Sequence, residues 1–246
     1  MIKKSPTSLR NQPVIWVTGA SRGIGYEVAK AFAGIGARVV VTSRDRRKLT
    51  SLVKQITKRG GYATARVCDV SSELSVTVAA KQILKRWGRV DVLVNNAGVT
   101  YFKSLRETTR SEFDEVIAAN LRGTFLCIKA VIESMVRRRS GHIIDVISVA
   151  AQRTYTKSSA YSASKAGVLA LTNVLREEVR PFGIKVTAVL PGATETQMWS
   201  GSTRVKFHHR MMSAEDVARI VVSVFQAPRR AHIEEIIFRP QLGDLP

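Results

Sequence analysis

Val14-Ile15-Trp16-Val17-Thr18-Gly19-Ala20-Ser21-Arg22-Gly23-Ile24-Gly25 is the stretch on which the fold turns, and it runs on into Tyr26-Glu27-Val28-Ala29-Lys30-Ala31-Phe32-Ala33-Gly34. Val14 to Thr18 is a short, apolar, β-branched run that predicts a strand, and Gly23 to Gly34 predicts a helix. A glycine-rich turn between a strand and a helix lets backbone approach a pyrophosphate closely, while the helix start offers free N–H groups and a partial positive charge. The spacing Gly19-x3-Gly23-x-Gly25 is wider than the usual GxGxxG, and glycines alone would also serve an ordinary turn. The strand before and the helix after favour a nucleotide cradle built from Gly19, Ser21, Arg22, Gly23, Ile24 and Gly25.

Outward from this turn the alternation continues. Strands are predicted at Arg38 to Thr42, Tyr62 to Val67, Val90 to Val94, His142 to Ile147, Ile184 to Leu190 and Ile233 to Phe238. Helices are predicted at Arg46 to Arg59, Leu74 to Trp87, Ser111 to Arg138 (with Ser111 as its cap and Asp114 three residues on), within Ala160 to Pro181, and at Ser213 to Gln226. Runs such as Val39-Val40-Val41 and Val92-Leu93-Val94 suit strands buried on both faces. The expected fold is α/β: a Rossmann-type, doubly wound, three-layer α/β/α sandwich on a mostly parallel seven-stranded sheet. One domain is expected over residues 13–246, behind a flexible basic lead-in at 1–12, with a long loop or lid from Thr194 to Met212.

Bulk properties narrow the class. The 246 residues are 45% apolar, enough for a large core, and no apolar run is long enough to span a membrane. The polar, basic start lacks the apolar segment of a secretory signal, so a cytoplasmic location is expected. Cys68 and Cys127 both sit in apolar stretches and read as reduced core thiols, and no His/Cys spacing suggests a metal. The net charge of +20, from 39 basic and 19 acidic residues, favours anionic partners. The basic residues are spread along the chain, which speaks against a dedicated nucleic-acid site.

The second strand bears on which dinucleotide is bound. A site for NAD usually places an acid there to bond the ribose 2′-hydroxyl. This chain has Thr42-Ser43-Arg44, with Asp45 slightly late. Arg44, helped by Arg22, can clamp a 2′-phosphate through a planar guanidinium fork, so NADP(H) is expected; the alternative is two solvated arginines in a chain rich in them.

Taken in order, Thr18-Gly19-x3-Gly23-x-Gly25, Asp69, Asn95-Asn96-Ala97-Gly98, Asn120, Ser148, Tyr161-x3-Lys165 and Pro191-Gly192 with Thr196 make the sequence resemble the short-chain dehydrogenase/reductase family. Its nearest look is to members of the 3-oxoacyl-[acyl-carrier-protein] reductase type. The resemblance implies that Asp69, with Val70 beside it, meets the adenine, and that Asn96, Ala97 and Gly98 line the cofactor cleft. It further implies that Pro191 and Gly192 bend the chain after the sixth strand, with Thr194 and Thr196 at the nicotinamide amide. Asn120, Ser148, Tyr161 and Lys165 are implied as a catalytic tetrad, and a homodimer or homotetramer is expected. The ending Ile236-Ile237-Phe238-Arg239-Pro240-Gln241-Leu242-Gly243-Asp244 departs from the Asn-Gly-Gly common in the reductase subgroup, which leaves the substrate open.

The chemistry explains the residue types. Reducing a carbonyl takes hydride to carbon, which a nicotinamide carries, and a proton to oxygen. A phenol near pKa 10 needs a neighbouring cation to act near neutrality, and Lys165 lies one helical turn from Tyr161 on the same face. Ser148, at the carboxyl end of the fifth strand, can hold the substrate oxygen, and Asn120 can hold a water that links Lys165 to solvent. Singly, each residue also has an ordinary surface or turn reading; their order in one chain favours catalysis. On the substrate side, Met198, Trp199, Phe207, Met211 and Met212 offer apolar contacts, and Arg204, Lys206, His208, His209 and Arg210 offer charge. Three readings stand: an NADPH-dependent 3-oxoacyl thioester reductase; a reductase or dehydrogenase of small ketones, hydroxy acids or polycyclic alcohols; and a basic binding protein that senses NADP or contacts nucleic acid without turnover.

Overall fold

The computed structural model describes residues 12–228 and 230–245, so the lead-in lies outside the described residues apart from Gln12. Its strands are β1 (Val14–Thr18), β2 (Arg38–Ser43), β3 (Tyr62–Val67), β4 (Val92–Asn95), β5 (Gly141–Val146), β6 (Ile184–Pro191) and β7 (Glu235–Phe238). They form one sheet in the order β3-β2-β1-β4-β5-β6-β7, and every neighbouring pair is parallel. The helices are α1 (Gly23–Gly34), α2 (Arg46–Lys58), α3 (Glu73–Trp87), α4 (Arg110–Val116), α5 (Gly123–Arg138), α6 (Ser159–Val179), α7 (Gly201–Phe207) and α8 (Ala214–Gln226).

Strand periodicity divides the core. Ile15 and Val17 pack with Val28 and Phe32 of α1, Leu49 and Leu52 of α2 and Val217 and Val221 of α8. Val14 and Trp16 face the other layer, with Ile83 of α3, Val131 and Met135 of α5 and Leu175 of α6. The order of strands reverses between β1, which pairs with β2, and β4, which leads on to β5. In open parallel sheets ligands bind outside the carboxyl ends of the strands at this switch point.

Several boundaries differ from expectation for local reasons. The long helical stretch is capped by Thr109, not Ser111. The Thr109 hydroxyl accepts from Glu112 N at 3.2 Å, and the Glu112 carboxylate accepts from Thr109 N at 2.9 Å, a reciprocal capping box. That stretch is interrupted by a π-helical turn at Ile117–Arg122, which joins α4 to α5. β4 starts at Val92, and just before it the Asp91 carboxylate accepts from Val14 N, Arg89 and Arg138 at 2.8–3.2 Å. The expected 194–212 loop contains α7, capped by Ser200, and a 3₁₀ turn at His208–Arg210. Among its seven residues only Val205 and Phe207 are large and apolar, two positions apart, so no stripe at helical spacing marks the helix.

His142 on β5 is 6% exposed, and its Nε2 lies 2.9 Å from the Thr187 hydroxyl, which donates to the Ile233 carbonyl. The hydroxyl has given away its only proton, so the neutral ring donates to it. Burial, with His232 and Lys185 nearby, lowers the pKa of His142 to about 3. Unfolded, the ring titrates near 6.5. The stability from keeping it neutral is therefore present above about pH 6.5 and is lost as pH falls towards 3. Urea unfolding at pH 7 and 4.5 is expected to show a loss roughly 2–3 kcal/mol larger in the parent than in His142→Gln; equal losses would refute it.

Candidate active site

The glycine turn is held from below by β4. The Thr18 hydroxyl accepts from Asn96 N and Ala97 N at 3.0 and 3.1 Å and donates to the Val94 carbonyl at 3.3 Å. The Asn96 amide donates to the carbonyls of Thr18 and Gly19 at 3.0 and 3.2 Å. Gly19 has φ +65°, and a Cβ there would lie 2.7 Å from the Ala97 Cα. A Cβ on Gly25 would run into the Asn96 amide and the Gly19 carbonyl. Glycine at these two positions lets the turn lie flat on β4. Arg22 makes no side-chain cap on α1, and the first turn of that helix has no acid, so its N–H groups face the cleft uncompensated.

The cleft has a volume of about 860 Å³. Gly19, Ser21, Arg22, Gly23 and Ile24 line one end, Arg44, Asp69 and Val70 lie on the flank, and Asn96, Ala97 and Gly98 form the floor. Pro191, Gly192, Thr194 and Thr196 line the side facing the glycine turn, and Ser148, Tyr161 and Lys165 line the inner wall. Gly25 and Asn120 stand behind this lining. The space, the uncapped helix start and the close backbone approach fit the phosphates of a dinucleotide.

At the flank, Asp45 is occupied. Its carboxylate caps α2, accepting from Lys48 N at 3.1 Å, with the Lys48 ammonium 3.5 Å away. Arg22, Arg44 and Lys48 line that same region. One oxygen of Asp69 accepts from the Ser71 backbone and hydroxyl at 3.0 and 2.7 Å, which orients the carboxylate.

α6 aligns the inner wall. Tyr161 and Lys165 are one turn apart, and the Lys165 ammonium lies 5.7 Å from the Tyr161 ring centre and donates to the Val146 carbonyl at 2.9 Å. Ser148 follows β5 in extended backbone, its hydroxyl accepting from Ala150 N at 3.1 Å, and it lines the cleft with Tyr161. Burial pushes Tyr161 up to about 12, with Ser148 pulling the other way, and lowers Lys165 to about 8 against the pull of Asp145. The phenol therefore holds its proton at neutral pH. The depression of Tyr161 expected from Lys165 is not what sets its titration here: desolvation dominates, and Ser148 is the group that opposes it.

Asn120 sits in the π-helical turn, a feature that often marks functional sites. Its Oδ1 accepts from Val99 N at 2.8 Å, and its amide donates to the Val99 carbonyl and the Ser164 hydroxyl at 3.0 and 2.9 Å. Ser164 in turn donates to the Tyr161 carbonyl at 2.7 Å. The side chain of Asn120 thus ties the loop after β4 to the turn of α6 that carries Tyr161.

The outer wall brings Trp199, expected on the substrate side, together with Phe102, Tyr155, Asp244 and Leu245, which the sequence reading did not single out. Phe102 and Trp199 stack at 4.9 Å and 12°, joining the loop after β4 to the segment before α7, and the Trp199 indole donates to the Thr194 carbonyl at 3.1 Å. Tyr155, Asp244 and Leu245 also line the cleft. Arg210 donates to the carbonyls of Leu242 and Asp244, both at 3.1 Å, and Arg239 meets the Asp244 carboxylate at 3.2 Å, so the C-terminal segment is strapped against the opening. Arg210, read as a candidate contact for an anionic substrate, is engaged by this strap. No sequence signal places Tyr155 at the same opening as a residue 89 positions later; the strap does. Among the described residues, no helix is long and apolar enough to cross a membrane, and no three His, Cys, Asp or Glu side chains gather into a metal-binding group.

The chain is similar to known proteins. The chain is 35% identical to a sepiapterin reductase from Chlorobaculum tepidum over 94% of this chain and 98% of that protein. It is 40% identical to a 3-oxoacyl-[acyl-carrier-protein] reductase from Synechocystis over 75% of each. A crystal structure of a metagenomic short-chain oxidoreductase in complex with NADP superposes with a TM-score of 0.82 at 35% identity, covering 93% of this chain and 97% of the other. The family model described as short chain dehydrogenase matches residues 13–206, and with the glycine turn and the Tyr161–Lys165 wall in one cleft this protein belongs to the short-chain dehydrogenase family of oxidoreductases.

Proposed function

We propose that this protein interconverts a carbonyl and a secondary alcohol with NADP(H). The observation that carries the reading is the placement of Ser148, Tyr161 and Lys165 on the wall of the same cleft whose far end is the uncapped start of α1. NADPH, when bound, supplies the hydride. Ser148 holds the substrate oxygen against Tyr161, which keeps its proton at neutral pH and delivers it to that oxygen. Lys165 places a positive charge beside the phenol as it gives up its proton, and lies where it can reach the nicotinamide ribose.

The preference for the phosphorylated dinucleotide rests on the flank. Asp45 is committed to capping α2, while Arg22, Arg44 and Lys48 offer cations to a 2′-phosphate. The related structure that holds NADP supports the same reading. For the substrate, the stacked Phe102 and Trp199 and the polar Tyr155–Asp244 edge support a compact carbonyl compound. A 3-oxoacyl thioester stays within this class, in line with the name of the Synechocystis relative.

NADPH oxidation against ketones, diketones, sepiapterin and acetoacetyl thioesters tests the activity; no turnover with any carbonyl, alongside intact NADPH binding, would leave the binding-protein reading. Tyr161→Phe is expected to lower kcat by about 10²–10⁴-fold while NADPH affinity, read by fluorescence, stays within about twofold. A variant that retains parental turnover would remove Tyr161 from the mechanism. NADPH is expected to bind at least about tenfold more tightly than NADH, and Arg44→Ala to erase that gap, since one charge-assisted contact is worth about 1.5–3 kcal/mol. Equal affinities for the two cofactors in the parent would overturn the cofactor assignment.

A further inference from the structure

The sheet ends on one side at β3, which pairs only with β2. The N–H of Cys68, the next residue after β3, donates to the Ser43 carbonyl at 3.0 Å. Along a parallel strand, alternate residues bond a given neighbour. Thr64 and Arg66 therefore bond β2, while Ala63, Ala65 and Val67 turn their backbone N–H and C=O groups to the open side. The Ala65 carbonyl is met there by Arg66 Nη1 at 2.8 Å, not by another strand. Beside this edge lies a groove of about 300 Å³, lined by Arg46 of α2, Ala65, Arg66 and Val67 of β3, and Val78 and Ala79 of α3. Val67 and Val78 are exposed, and Leu74, one helical turn before Val78, is 74% exposed. Neither Arg46 nor Arg66 is paired with an acid among the described residues.

The charge here is one-sided. Basic residues occur along the whole chain, but between Arg44 and Arg89, the segment that builds α2, β3 and α3, twelve of them stand against three acids. That is +9 of the chain's +20. Only Arg44 and Lys48 of the twelve line the cleft described above. Of the three acids, Asp45 caps α2 and Asp69 accepts from Ser71, which leaves Glu73 at the start of α3. An open strand edge, an aliphatic groove and guanidinium groups without acids are together complementary to an extended, acidic peptide.

We propose that the β3 edge is a docking surface for an extended, acidic segment of a partner protein, which adds as a strand beside β3. The partner's backbone bonds the outward groups of Ala63, Ala65 and Val67, one of its aliphatic side chains fills the groove at Ala65 and Val78, and its carboxylates pair with Arg46 and Arg66. Arg66 releases the Ala65 carbonyl to a strand N–H and turns to an acid. A nucleic-acid strand suits the surface less well, because bases stack on aromatic platforms and the exposed side chains of the groove are aliphatic. A second copy presenting the same edge would set +9 against +9. The surface is independent of the proposed hydride chemistry.

The probe is a short fluorescein-labelled peptide of alternating valine and glutamate, titrated by anisotropy with and without NADPH. It is expected to bind, more weakly as salt rises, and to slow amide exchange across Tyr62–Val67 as read by mass spectrometry. Arg46→Glu combined with Arg66→Glu is expected to weaken binding at least about tenfold while the circular-dichroism spectrum stays parental. Val78→Asp, at an exposed helix position, is expected to weaken it as well and keeps the comparison open should the double variant fail to fold. The same peptide N-methylated at alternate backbone amides cannot add as a strand and is expected to lose most of its affinity. Equal affinity of the methylated peptide would overturn strand addition, and competition with NADPH would place the peptide in the cleft instead. Tighter binding of oligothymidylate than of the peptide would reassign the edge to nucleic acid. Self-association in sedimentation that the reversed charges abolish would make it a contact between copies, against the proposal. No binding of the peptide would leave the cations as mere shields of an open strand edge and overturn the proposal.

Discussion

The Thr18 hydroxyl joins β1 to the end of β4 at the point where the order of strands reverses. With the Asn96 amide, which holds the carbonyls of Thr18 and Gly19, it fixes the floor of the cleft. The glycine turn lies directly on this junction, and only residues without a side chain fit there. In the proposed reading the junction sets where the phosphates of a dinucleotide would meet the α1 N-terminus, at the opposite end of the cleft from Tyr161 and Lys165. A shift of β1 against β4 would separate the two ends of the site even with every residue of both retained.

The far end is anchored just as tightly. Asn120 binds the backbone of Val99, at the end of the floor loop, and the hydroxyl of Ser164, which is bonded to the carbonyl of Tyr161. The π-helical turn places Asn120 between α4 and α5 so that one amide spans both neighbours. Lys165 is clamped to Val146, so the turn of α6 that carries Tyr161 is tied to β5 as well. This rigidity suits a site in which a proton and a hydride have to be delivered to adjacent atoms of one substrate. By contrast, the outer wall is assembled from segments remote in sequence: the loop after β4, the stretch before α7, and the C-terminal residues held by Arg210 and Arg239.

Much of this was legible in the order of residues. Val14–Thr18 followed by Gly19–Gly25 marked the first βαβ unit, because a parallel strand buried on both faces is continuously apolar and the turn after it needs glycine. Tyr161 and Lys165 were legible as a pair because the helix repeat puts residues four apart on one face. The cap at Thr109 was missed because Ser111 offered a competing hydroxyl, and only the reciprocal bonds to Glu112 separate the two. The helix at Gly201–Phe207 was missed because its two large apolar residues, Val205 and Phe207, do not fall at helical spacing. The strap over the cleft was not legible, because Tyr155, Arg210 and Asp244 meet only after the chain has closed.

By itself, the sequence determined the α/β alternation, the single glycine turn, and which residues could carry a proton and bind a phosphate. These follow from local rules of chain geometry and side-chain chemistry, which act over a few residues. The tertiary structure decided the protonation states and the shape of the substrate side. Tyr161 rises and Lys165 falls in pKa because both are enclosed, and enclosure depends on elements that pack from every direction.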